Sequence, residues 1–139
     1  MSPDFRDAAE RHWEDATYLL ADSRLANADH LFGLSAECAL KALMLGLGMV
    51  LRPDGAPQDP KHRVHINNLW DEFIGLATGP DGARYAALLS GTSNPFKYWD
   101  VAQRYAHRNH VFAAAVEQHR VGCGLTRQVL NAALLDGVV

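Results

Sequence analysis

Cysteine is scarce in this chain, which has only Cys38 and Cys123 among 139 residues. Two cysteines are too few for a disulfide-rich scaffold or a four-cysteine zinc site. The chain also lacks an uncharged apolar run long enough to span a membrane, and residues 1–29 are rich in Asp and Glu, unlike a signal peptide. We therefore expect a soluble, cytoplasmic protein without membrane contact, in which both cysteines are reduced packing residues.

A general excess of positive charge is also absent. The net charge is −3, which argues against a dedicated DNA-binding protein. The charges are unevenly distributed, because acids outnumber bases in residues 1–29 and bases outnumber acids in residues 97–127. The cations of the second stretch are Lys97, Arg104, Arg108, Arg120 and Arg127. Such a patch fits contact with a phosphate backbone, and it equally fits a solvated helix face.

Helical periodicity runs along most of the chain, whereas strand-type alternation and internal repeats are absent. Prolines and glycines separate the periodic stretches. The predicted helices cover residues 4–21, 25–51, 65–77, a short stretch that Asp81 can cap, and a last stretch that begins between 100 and 109 and ends near 135. The length fits one domain, 1–139. We therefore predict an all-α fold, an up-and-down bundle of four long helices plus one short helix.

The stretch 25–51 is predicted to be the central helix, because apolar residues occupy every face of it. Between His30 and Leu51 only Glu37 and Lys41 carry full charge. They are four residues apart in the order that favours a helical ion pair. Near the centre of a buried helix neither charge can lack a partner. Glu37 is therefore either a structural anchor or part of a site.

An aromatic segment, residues 96–105, follows a Gly- and Pro-containing break and is predicted to fold against the bundle. Its arginine, Arg104, has several predicted roles. The guanidinium can stack on Trp99 or Tyr98 or pair with Glu37, all of which are structural roles. It can instead bind a phosphate.

Three stretches together form a recognisable pattern. They are Ala-Glu-Arg-His-Trp-Glu-Asp-Ala in the first helix, His-Leu-Phe-Gly-Leu-Ser-Ala-Glu-Cys-Ala-Leu-Lys-Ala-Leu in the central one, and Trp99 leading to Arg104-Tyr105 before the last helix. In these stretches the chain resembles the HEPN superfamily of helical domains. The resemblance implies a bundle that forms a homodimer. Many members of the superfamily are endoribonucleases that need no metal or cofactor. The resemblance therefore also implies this activity, with products that carry 2′,3′-cyclic phosphate and 5′-hydroxyl ends.

The resemblance also implies particular site residues. Arg104 and His110 match an Arg-x(4–6)-His motif and would be catalytic, the arginine steadying charge on the phosphorus and the histidine transferring a proton. Glu37 and Lys41 match a supporting Glu-x-x-x-Lys motif. We assign further supporting roles to Tyr105 and His107, and RNA binding to Lys97 and Arg108.

The motif sets a geometric condition. Residues six apart in a continuous helix point about 120° away from each other. Arg104 and His110 can therefore converge only if a non-helical stretch separates them, and Asn109 could supply it by capping the last helix.

Other functions stay open at this level. A non-catalytic dimeric adaptor could use the same basic surface for RNA, a nucleotide or a protein. As an enzyme of this resemblance, the protein could be a toxin held in check by a nucleotidyltransferase-type antitoxin. A metal site is not expected, because the pairs His62 and His65, and His107 and His110, have no nearby Cys or acidic residue to complete a ligand set.

Overall fold

Five α-helices make up the fold in this computed structural model, which describes residues 1–76 and 79–139. They are α1 (Phe5–Ala21), α2 (Leu25–Gly46), α3 (Ile66–Leu76), α4 (Gly79–Ser90) and α5 (Ala113–Leu135). No strand occurs in the described residues, where an isolated bridge joins Leu51 and Pro57. The predicted all-α class is confirmed. Three helices have 17 to 23 residues and two have 11 and 12, so the predicted division into four long and one short is not observed.

Helix α1 forms where its apolar spacing predicts it. The Asp4 carboxylate caps it by accepting a hydrogen bond from the backbone N–H of Asp7 at 2.9 Å. Ala9 and Ala16 are fully buried, and the small side chains allow close packing on α2. At this contact the buried hydroxyl of Ser35 donates to the Ala9 carbonyl at 2.7 Å.

Helix α2 is the central helix, and α1, α3 and α5 pack on it. It ends at Gly46 and not, as predicted, near residue 51. Gly48 has a φ of +105°, and the N–H of Met49 bonds to the Met44 carbonyl at 2.8 Å. This is a Schellman ending, in which glycine takes the left-handed conformation at low cost. At the other end no side chain caps α2.

Helix α3 packs on α2, α4 packs on α5, and α3 and α4 contact each other. Helix α3 buries Ile66, Leu69, Trp70 and Phe73. Its predicted end at residue 77 lies outside the described residues. Helix α4 begins at Gly79, ahead of the predicted cap Asp81, which lies in its first turn.

Helix α5 begins at Ala113, later than the predicted range of 100–109. Two short 3₁₀ helices, Val101–Tyr105 and Arg108–His110, precede it. Gly122 on α5 permits a close contact, because a Cβ there would lie 2.5 Å from Pro95. The start of the aromatic segment therefore packs directly on the α5 backbone. None of the helices in the described part of the chain has the length and apolar character needed to cross a bilayer.

Candidate functional site

The predicted catalytic pair lies on the connection between α4 and α5. Asp100 caps the first 3₁₀ helix, which carries Arg104, and Gln103 completes a capping box with it. The backbone is then extended at Ala106 and at His107, whose ring nitrogen accepts from the Asn109 N–H at 3.2 Å. The second 3₁₀ helix carries His110. A non-helical break therefore separates the pair as the motif requires, but it lies at residues 106–107 and not at Asn109.

The connection, which we call the 97–112 surface, exposes most of its charged and aromatic side chains. Tyr98, Tyr105 and Phe112 are 87%, 78% and 68% exposed. The exposed cations and histidines are Lys97, Arg104, His107, Arg108 and His110. Three large exposed rings therefore lie among five exposed cations and histidines on this surface.

Arg104 does not take any of the predicted structural positions. Its guanidinium lies 4.8 Å from the centre of the Tyr105 ring, and Lys97 lies similarly over Tyr98, at 5.5 Å. The predictions that Arg104 stacks on Trp99 or Tyr98, or pairs with Glu37, are therefore wrong. The guanidinium is exposed and available to a ligand.

A buried acid, Asp29, holds this surface on the bundle. One carboxylate oxygen accepts from Gln103 Nε2 at 2.6 Å, and the other lies 2.5 Å from Nδ1 of His119 on α5. The Asp29 carbonyl accepts from the indole of the buried Trp99 at 3.1 Å. The sequence analysis missed this cluster, because it counted Asp29 with the acidic N-terminal residues. The available signal was helical spacing, since Asp29 lies one turn before the buried Phe32.

Glu37 and Lys41 form the predicted ion pair within α2. Oε2 of Glu37 lies 3.0 Å from Nζ of Lys41, and the two residues are 8% and 9% exposed. Oε1 of Glu37 lies 2.9 Å from Nδ1 of His65, just before α3. His65 was considered only as a metal ligand, so this contact was not predicted. The Glu37 carboxylate therefore contacts Lys41 and His65, and it does not pair with Arg104.

Two histidine rings lie against Trp99, which links the Asp29 cluster to the Glu37 cluster. The His30 ring stacks on Trp99 with ring centres 5.8 Å apart, and the His65 ring is tilted against the same indole at 6.5 Å. Burial, followed by the nearby charges of Arg104 and His12, lowers the pKa of His30. His30 therefore lies near both His65, which lies against the same indole, and the charge of Arg104.

The lowered histidine pKa values predict a pH-dependent stability. Burial and then the charge of Arg11 lower the pKa of His12, as burial and Arg104 do for His30. As pH falls below about 6.5, the unfolded chain takes up these protons before the folded chain does, so stability is lost. Urea unfolding should show a lower free energy at pH 5.5 than at pH 7.5. His30→Gln should reduce this difference, whereas the exposed control His107→Gln should not. An unchanged difference in His30→Gln would contradict the assignment.

The cysteines behave as predicted packing residues. Burial raises the pKa of the Cys123 thiol to about 12 and that of Cys38 to about 11, so neither is a nucleophilic thiolate at neutral pH. Both are free. Within residues 1–76 and 79–139 no cluster of three or more His, Cys, Asp and Glu side chains could hold a metal ion.

Comparison with protein-family models, curated proteins and solved structures finds no match for this chain. The HEPN resemblance therefore rests on the sequence motifs, and the functional argument rests on the geometry above.

Proposed function

We propose that this protein is a metal-independent endoribonuclease of the HEPN type that acts as a homodimer. The observation that carries the proposal is the 97–112 surface, where Arg104 and His110 are exposed on either side of a non-helical break. The same surface contains the rings and cations that a single-stranded RNA requires. An RNA bound on the 97–112 surface would therefore lie beside Arg104 and His110, the two groups that can act on its phosphates.

RNA binding is supported by the composition and exposure of the surface. Exposed aromatic rings stack on unpaired bases, with about 1–3 kcal/mol per base, and cations follow the backbone. Tyr98, Tyr105 and Phe112 supply the rings, while Lys97 and Arg108 supply charge outside the catalytic pair. Asp100 is the only acid in residues 97–112, and its carboxylate is occupied in capping. A flexible single strand is favoured over a duplex, because stacking requires unpaired bases.

Cleavage is supported by the chemistry of the two motif residues. The Arg104 guanidinium can donate to two phosphate oxygens and stabilise the charge that develops during attack by a ribose 2′-hydroxyl. The imidazole of His110 can transfer a proton to or from a reacting oxygen near neutral pH. The reaction needs no metal and gives 2′,3′-cyclic phosphate and 5′-hydroxyl ends. In a homodimer two such pairs would face a shared cleft, as the family resemblance implies, and an antitoxin partner could cover that cleft.

The test is cleavage of single-stranded RNA in the presence of EDTA. Wild-type protein should give cyclic-phosphate ends, and Arg104→Ala and His110→Ala should each reduce the rate by about 10²–10⁴-fold. Arg6→Ala is a matched control, because Arg6 has the same spacing to His12 but lies on α1. Full activity in His110→Ala would overturn the assignment. Size measurement in solution should give a dimer, and a monomer would contradict the shared cleft.

A non-catalytic RNA-binding adaptor is the second candidate. It is favoured by the packing of the Arg104 guanidinium over the Tyr105 ring, because this pair can stack on RNA bases without cleaving the RNA. In that case RNA binds and stays intact, and Tyr105→Ala weakens binding by about tenfold, the loss of one stacked base. Affinity and cleavage measured on the same RNA distinguish the two functions.

A further inference from the structure

The ring of His65 contacts a buried carboxylate through Nδ1. Nδ1 lies 2.9 Å from the buried carboxylate of Glu37, and 49% of the side chain is exposed. An imidazole that donates its Nδ1–H to a carboxylate keeps Nε2 as a base, and the carboxylate stabilises the imidazolium after proton uptake. Residues in this arrangement are suited to proton transfer. The proposed function so far makes no use of it.

The carboxylate that orients His65 is itself fixed. Lys41 occupies the second oxygen of Glu37 at 3.0 Å, and both residues are buried in α2. Rotation of the carboxylate would break one of these two contacts. The hydrogen bond to His65 therefore holds the ring in one orientation.

The His65 ring also lies against the segment that carries Arg104. His65 and His30 both lie against the indole of Trp99. Trp99 and Gln103, the residue before Arg104, both hydrogen-bond to Asp29. His30 is less suited to act as a base, because among the described residues its buried Nδ1 has no hydrogen-bond partner and no carboxylate is bonded to the ring. Among the described residues, the charged and titratable groups that the contacts place near His65 are Glu37, Lys41 and His30 on α2. Lys61, His62 and Arg63 precede it in the chain.

We infer that His65, oriented by Glu37, is the general base of the proposed RNA cleavage, next to the phosphate that Arg104 binds. This inference rests on the proposed function. Nε2 of His65 takes the proton of a ribose 2′-hydroxyl as the 2′-oxygen bonds to phosphorus. The bond from phosphorus to the 5′-oxygen breaks, and that oxygen takes a proton from the imidazolium of His110. The step needs no co-reactant and leaves the cyclic phosphate and the 5′-hydroxyl.

The decisive variant is His65→Asn. An asparagine amide can donate to Glu37 from the place of Nδ1, but it has no counterpart of Nε2, so the contact is kept and the base is lost. We expect kcat to fall by about 10²–10³-fold with little change in KM. The low-pH limb of the pH profile of kcat/KM, where the base becomes protonated, should disappear. The matched control is His62→Asn, three residues before His65 on the short 3₁₀ helix Pro60–His62. This variant should keep the wild-type kcat and the wild-type low-pH limb.

The outcomes separate the two proposals. If wild-type protein cleaves RNA and His110→Ala does not, but His65→Asn keeps the wild-type rate or the low-pH limb, the role of His65 is overturned and the ribonuclease stands. If wild-type protein does not cleave RNA, both are overturned. Circular dichroism establishes that each variant is folded. If His65→Asn does not fold, His65→Gln is the second variant. It also replaces the half-exposed imidazole with a side chain that is not a base, so the low-pH limb should disappear in the same way.

Discussion

Gly33→Ala is expected to force Trp99 away from α2 and to lower the free energy of unfolding by about 3 kcal/mol, the upper range for overpacking a core. A Cβ at position 33 would lie 2.1 Å from the indole, and both residues are buried. The indole cannot give way without losing its 3.1 Å hydrogen bond to the Asp29 carbonyl. The aromatic segment would then lose its contact with the central helix.

Gly124→Ala is the matched control for this prediction. Gly124 lies within α5. Apart from its chain neighbours and the backbone of α5, no atom of the described residues would lie within 4 Å of a Cβ there, so alanine should raise stability by about 0.5–1 kcal/mol through helix propensity. Urea unfolding of both variants measures the two effects, which have opposite signs. Wild-type stability in Gly33→Ala would show that Trp99 does not lie against α2. RNA affinity should also fall in Gly33→Ala, because Trp99 precedes the segment that carries Arg104.

Asp29→Ala is expected to lower the free energy of unfolding by about 3–5 kcal/mol, because it removes two hydrogen bonds to a buried carboxylate, each of which contributes about 1.5–3 kcal/mol. The change leaves His119 and Gln103 without the carboxylate that each contacts. His119 is 5% exposed, so water cannot readily replace the lost partner. The connection from α2 to the first 3₁₀ helix would be lost at the same time.

The control for Asp29→Ala is Asp22→Ala. Asp22 pairs with Arg24 at 3.0 Å on the surface, and a contact of that kind contributes about 0–1 kcal/mol. Thermal or urea unfolding compares the two acids directly. Equal losses in the two variants would contradict the role given to Asp29. Asp29→Ala should also weaken RNA binding, since Arg104 follows Gln103 immediately.

Local patterns predicted the parts of the fold that local forces determine. The α1 boundaries followed from apolar spacing, and the Glu37–Lys41 pair followed from a four-residue spacing on an apolar helix. The end of α2 was missed because the left-handed conformation of Gly48 was not considered. The start of α5 was missed because the Asp100–Gln103 capping box begins a helix that stops after one turn.

The sequence by itself determined the all-α class and the central helix with its buried ion pair. It also supplied the motif match, placed before the last helix, on which the proposal for Arg104 and His110 is based. Only the tertiary structure decided the exposure of the 97–112 surface and the contacts beneath it. Asp29 meets Gln103 and His119 across 74 and 90 residues, and Glu37 meets His65 across 28. The reason is physical, because a buried carboxylate takes whichever donors the packed helices bring to it, and helical periodicity carries no information about donors so distant in the chain.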